Sequence, residues 1–135
     1  MSHVRILPTQ MPRYWNLEDT QRPWTANAER TWHHMKRARM VKATRETFGW
    51  LARAQRIPRL DAIKVAAVPF MTDGRGRQDV GACFPAVKAA IDGLVDAGVI
   101  PDDTPTYVHR ICFHAPQIVG HEGLRLVVTE VLPSG

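Results

Sequence analysis

A chain of 135 residues, 44% of them hydrophobic and 23% charged, has the size of one folded domain, long enough to bury a single core and too short for two ordinary ones. That composition excludes a wholly disordered chain, and two cysteines without CxxC spacing exclude a disulfide framework and a cysteine-based zinc site. The formal charge of +5 is unevenly divided, with a net +8 over residues 1–60 and −3 over residues 61–135; such a division suits a protein that holds a polyanion on one surface and a cation-assisted centre on another.

Residues 1–11 hold Arg5, Pro8 and Gln10 and lack the uninterrupted apolar stretch of a signal peptide. The longest apolar run, 65–71, is about seven residues and contains Pro69, where a membrane-spanning helix needs roughly twenty. The expectation is a cytoplasmic protein with no membrane partner, poorly ordered over residues 1–12. Tyr14, Trp15 and Leu17 make 13–19 a first strand, followed by a turn at Arg22-Pro23-Trp24. From 32 to 57 no proline or cluster of turn residues intervenes, and Val41, Thr44, Phe48, Leu51 and Ala52 recur at helical spacing, so a long helix is predicted, ended by Pro58. Along it lie Lys36, Arg37, Arg39, Lys42, Arg45, Arg53 and Arg56, with Glu46 the only acid. Phosphate contact and plain solubility each account for that bias.

Residues 62–72 are rich in Val, Ile and Phe and read as a strand, broken by Asp73-Gly74-Arg75-Gly76-Arg77. Arg75 and Arg77 are placed either to hold a phosphate near Asp79 or to neutralise Asp73 and Asp79. A second helix is predicted over 85–98, with Pro85 in its first turn, Val87, Ile91, Leu94 and Val95 as its apolar stripe and Gly98 at its end. Lys88 and Asp92 are neighbours on another face of that helix, with Asp96 a turn farther on. Two strands, 107–115 and 124–132, follow around a loop at 120–123 and are expected to pair as an antiparallel hairpin. The order β-α-β-α-β-β predicts an α+β fold, a small mixed sheet packed with two helices.

Histidines give no metal centre on spacing: His109 and His114 have opposite parity in one strand, and His33 and His34, adjacent on a helix, are expected to diverge. Gly74-x-Gly76 lacks the third glycine of a dinucleotide fingerprint. The serines, Ser2 and Ser134, lie at the termini, and Cys83 has no identifiable partner base, so a covalent nucleophile is unsupported. Trp24 and Trp32 serve either as core or as platforms for unpaired bases. What remains is the concentration of Asp79, Asp92, Asp102 and Asp103 about Lys88 in an otherwise basic chain. Divalent cations such as Mg²⁺ take oxygens from one or two carboxylates and complete their shell with water and phosphate. On spacing alone, Asp102-Asp103 before Thr104-Pro105 also reads as a turn.

Read together, GRGRQD at 74–79, VKAAIDGLVDAGVIPDD at 87–103 with a strand after it, and the earlier RPWTAN at 22–27 resemble the RusA family of Holliday junction resolvases, common in phage and prophage. The resemblance covers residues 22–131 and is densest from Lys88 to Asp103. It implies a homodimeric endonuclease that uses Mg²⁺ or Mn²⁺ to nick DNA symmetrically at four-way junctions, with Asp79, Lys88 and Asp103 as catalytic residues. Asp79 and Asp103 would bind metal beside Asp102, and Arg75, Arg77, Lys36, Arg37, Arg39, Lys42 and Arg45 would contact DNA. Two features depart from the family. Gly81 and Ala82 stand where many members have a second aspartate and an asparagine, and the interval from Asp79 to Lys88 is about one helical turn longer. Either a ligand is missing or Asp92 supplies it. The rival expectations are a catalytically inactive relative that binds branched DNA or a protein partner, and an interaction protein that binds no DNA.

Overall fold

A computed structural model describes residues 11–74 and 78–133. Arg75 and Arg77 lie outside the described residues, as does most of the segment expected to be poorly ordered. The elements in chain order are β1 (Tyr14–Asp19), α1 (Ala26–Glu29), α2 (His34–Ala54), β2 (Ile63–Met71), α3 (Phe84–Asp96), β3 (Val108–Phe113), β4 (Gln117–Ile118) and β5 (Gly123–Glu130). This is the expected α+β arrangement, with one added helical turn, α1, and one added two-residue strand, β4. Thr25 starts α1 by accepting the Ala28 N–H on its hydroxyl, at 3.2 Å.

The sheet runs β1-β5-β2-β3, with β4 against the end of β2. β5 is antiparallel to both β1 and β2, whereas β3 and β4 are parallel to β2. The hairpin expected between 107–115 and 124–132 therefore does not form, because β2 lies between β3 and β5. The reason is the crossover. A helix-length connection through α3 returns the chain to the end where β2 began, so β3 must run parallel to β2. Residues between β3 and β5 then pass the end of β2, tied by the His114 N–H to Ala67 O at 3.0 Å and the Val119 N–H to Met71 O at 3.1 Å. β5 enters on the other side of β2, with Val65 opposite Val128 and Ala67 opposite Leu126.

Both long helices cover one face of the sheet. Phe48, Ala52, Val87, Ile91 and Leu94 meet Leu17, Ile63, Val65, Leu126 and Val128, all buried. The other face carries Tyr14, Thr129, Lys64 and Arg110 across one row of the register and Glu18 with Arg125 across another, the alternation of a sheet covered on one side. Contacts between α2 and α3 advance together: Val41 packs in one cluster with Ala89, and Arg53 donates to the Asp96 carbonyl at 3.1 Å, so the helices run in the same direction. They cross at glycines. A Cβ on Gly93 would clash with the Arg45 carbonyl and stand 2.9 Å from the Gly49 nitrogen.

α2 begins later and ends earlier than 32–57. His33 stands just outside the helix as its cap, its Nδ1 accepting the Met35 N–H at 3.2 Å. Its ring lies 4.1 Å from that of His34, centroid to centroid, so the two rings stack and do not diverge. At the other end Arg56 takes a left-handed backbone (φ 56°), its N–H bonding to Arg53 O and that of Ile57 to Ala52 O. The helix is closed by this reversal before Pro58 is reached.

Candidate functional site

Lys88 projects from the first half of α3 and pairs with Asp92 Oδ1 at 3.5 Å, one turn farther along the same face. Its ammonium also pairs with Asp103. The turn that ends α3 makes this second contact possible. Gly98 (φ 80°) reverses the chain, and Val99 and Ile100 plug into the core, with the Leu60 N–H on Val99 O at 2.8 Å, bringing Asp103 back to Lys88. Asp102 is exposed and its Oδ1 accepts the Asp103 N–H at 2.7 Å, an arrangement that stiffens the loop.

Asp79 faces a different hollow, of about 480 Å³, together with Arg22, Thr25, Asn27 and Gln78. Two backbone bonds set this loop: the Ala82 N–H to Asp79 O at 3.0 Å and the Phe84 N–H to Gly81 O at 3.1 Å. Gly81 has φ 83°, a conformation in which an aspartate would be strained. The Ala26 N–H donates to Ala82 O at 3.0 Å and so docks α1 against the same loop. Gln78 Oε1 is buried there without a hydrogen-bond partner among the described residues.

Of the carboxylates singled out by the sequence, Asp92 and Asp103 thus come together on Lys88, while Asp79 and Asp102 are not part of that group. Among the described residues no three His, Cys, Asp or Glu side chains form a group able to hold a metal. Asp92 and Asp103 by themselves are an oxygen donor set of the kind Mg²⁺ takes, since it needs one or two carboxylates and keeps several waters.

The basic residues of α2 are more fully partnered than their own helix suggests. Arg37 Nε meets Glu29 Oε1 of α1 at 2.9 Å, and Arg45 forks onto Asp96 of α3 at 2.5 and 2.8 Å. Lys42 lies 3.9 Å from Glu46, and the Lys36 ammonium sits 4.7 Å above the Trp32 ring. Only Arg39 of the five lacks such a contact among the described residues. The Arg45 guanidinium, by hydrogen bonding first and by charge second, holds the Asp96 carboxyl below the usual carboxylate range. Nothing within 32–57 signals this neutralisation, because Glu29 and Asp96 come from other elements.

Sequence reasoning also missed a second hollow, of about 310 Å³, between the starts of α2 and α3. Val41, Phe84, Pro85 and Ala89 give it an apolar floor, the Glu29–Arg37 pair forms one wall, and Lys88 with Asp92 forms the other. Trp24 buttresses it from beneath. That residue is buried and belongs to the core, packed with Ala86 and Ala89, and its Nε1–H donates to Glu29 Oε2 at 2.7 Å. Trp32 is partly buried beside it, ring centroids 5.8 Å apart. Cys83, at the start of α3, is buried with its thiol pushed up to about 11 by that burial, which leaves it inert as a nucleophile near neutral pH. Cys112 is half-buried and also a free thiol. Among the described residues no helix is long and apolar enough to cross a membrane. No protein-family model matches this chain, and no curated protein matches it.

Proposed function

We propose that the protein is a metal-dependent, structure-selective DNA endonuclease that cleaves four-way junctions by phosphodiester hydrolysis, working in the cytoplasm as a homodimer. The observation that carries this reading is the meeting of Asp92 and Asp103 on Lys88, three residues of the resolvase-like segment drawn together from a helix and the loop after it. Asp92 and Asp103 would hold Mg²⁺ or Mn²⁺. When bound, the cation supplies Lewis acidity at the scissile phosphate. Lys88, whose ammonium is partly exposed, would serve as the cation that balances charge growing on the phosphoryl oxygens. Asp79 would act from its own hollow, with Arg22 and Asn27 around it. Arg39, with the other cations of α2, would position the DNA backbone, making binding salt-dependent. A dimer matches the two-fold symmetry of a four-way junction.

A second reading, an inactive relative that binds branched DNA without cutting it, is favoured by two observations: among the described residues the acids do not form a group of three, and Gly81 occupies a left-handed position in the loop after Asp79. A synthetic four-way junction incubated with Mg²⁺, Mn²⁺ or EDTA separates the two. The expected outcome is paired nicks with either metal, none in EDTA, and a loss on the order of 100-fold or more in rate for Asp103→Asn and for Lys88→Met. Junction binding without cleavage under either metal overturns the nuclease reading in favour of the second. Cleavage that survives both substitutions moves the centre away from Lys88, and Asp79→Asn then tests the hollow that Asp79 lines.

A further inference from the structure

We infer that the hollow between the starts of α2 and α3 is a binding site for one unpaired nucleobase of a DNA strand. The inference rests on the proposed function in taking DNA as the ligand, and it names what the surface beside Lys88 accepts. Phe84 is 48% exposed although it heads a buried helix; it packs at 5.9 Å against Phe113 and also lines the hollow. With Val41, Pro85 and Ala89 it makes an apolar floor. An aromatic ring left open at the rim of an apolar hollow is a surface on which something flat can stack.

The walls decide what that something is. Each holds an ion pair, Glu29 with Arg37 and Lys88 with Asp92, and Lys88 is shared with Asp103, so each presents hydrogen-bond donors and acceptors and neither carries net positive charge. A phosphate or a second carboxylate would meet Glu29 and Asp92 as strongly as it met the two cations. The complementary ligand is neutral where it enters, has a flat apolar face, and carries donors and acceptors along its edge. A heterocyclic base has all three properties, and enzymes that take up single bases hold them between aromatic and apolar side chains with polar groups at the edge. Trp24 fixes Glu29 from below, so that wall is set before any ligand arrives. A volume of about 310 Å³ lies at the small end of the range for ligand pockets, enough for one ring system. Because Lys88 and Asp92 belong both to this wall and to the candidate centre, a base seated here places its own phosphodiester beside Lys88.

The test is made in EDTA, so that binding alone is read. Fluorescence anisotropy compares a continuous duplex with the same duplex interrupted by a short run of unpaired thymines. The protein is expected to prefer the interrupted duplex by about tenfold, as one stacked base gives. Phe84→Ala, which removes the platform, and Val41→Phe, which fills the hollow, should each abolish that preference and leave affinity for the continuous duplex unchanged. An equal loss on both probes, or a preference that both variants retain, overturns the base site. So does conversion of a dimer to a monomer by Phe84→Ala in sedimentation with the preference intact, which makes the hollow an interface between copies. A preference in EDTA together with no cleavage under any metal overturns the nuclease reading and leaves the base site standing; cleavage without any preference does the reverse. Failure to bind either probe overturns both.

Discussion

Arg56 holds a left-handed backbone, φ 56°, at the turn that closes α2, and there an L side chain is strained where glycine is not. The same turn follows α3, with Gly98 at φ 80° in the equivalent place and matching bonds from Gly98 N–H to Val95 O and Val99 N–H to Leu94 O. Relief of strain outweighs the extra chain entropy of glycine, so Arg56→Gly should stabilise the protein by about 1 kcal/mol, read as a higher urea midpoint with an unchanged slope. At this scale the sequence was informative about local pairs and silent about distant ones. Lys88 and Asp92 are neighbours by helical spacing alone, and the structure keeps them so at 3.5 Å. Asp103 entered only as one of several acids concentrated about Lys88, since no periodicity links positions so far apart. Glu29 went unread, although it holds both Arg37 and Trp24.

At the scale of elements, the crossing of α2 and α3 is the least forgiving place in the fold. Gly93 meets the Arg45 carbonyl and the Gly49 nitrogen with no room for a methyl group, and those atoms are backbone, unable to turn aside. Gly93→Ala should therefore destabilise the protein by about 2–3 kcal/mol despite the better helix propensity of alanine, and urea unfolding measures it. An unchanged midpoint would mean that the helices separate without loss. The two long helices and the four longer strands were legible from their apolar and β-branched residues, whereas β4, with two residues, was not. Pairing is not legible in that way. The last two strands are adjacent in sequence, and adjacency suggested a hairpin; the order β1-β5-β2-β3 is set instead by α3, which returns the chain parallel to β2. α1, with four residues, is too short to show a period, and its one signal was Thr25 as a cap.

Across the whole molecule, charge ties distant segments together. Glu130 of β5 takes a fork from Arg13 at 2.8 and 3.0 Å, just as Asp96 takes one from Arg45. Both carboxyls are held below their usual range, in each case first by the arginine hydrogen bond. Their pKa values are lower folded than unfolded, so their stabilisation is present above the usual carboxylate range of about 4 and is lost as pH falls through the depressed folded values. The melting temperature should stay nearly level from neutral pH to about 5 and decline below about 4, with a shallower decline in Asp96→Asn/Glu130→Gln. The effect is modest because water reaches Arg45, Asp96 and Arg13, although Glu130 is largely covered. A basic first half was legible from counting; that Glu29 of α1 and Asp96 of α3 pair with its Arg37 and Arg45 was not, because those acids lie outside α2. The glycine crossing bears on this larger arrangement. α2 and α3 run the same way, with the hollow near their starts, Gly49 and Gly93 at the crossing, and Asp96 gripped by Arg45 and Arg53 toward the far end. They are built like a pair of tongs, and a bare peptide contact is the pin. The spacing at that pin is set by a hydrogen atom at position 93, where any other residue would carry a carbon and push the two helices apart.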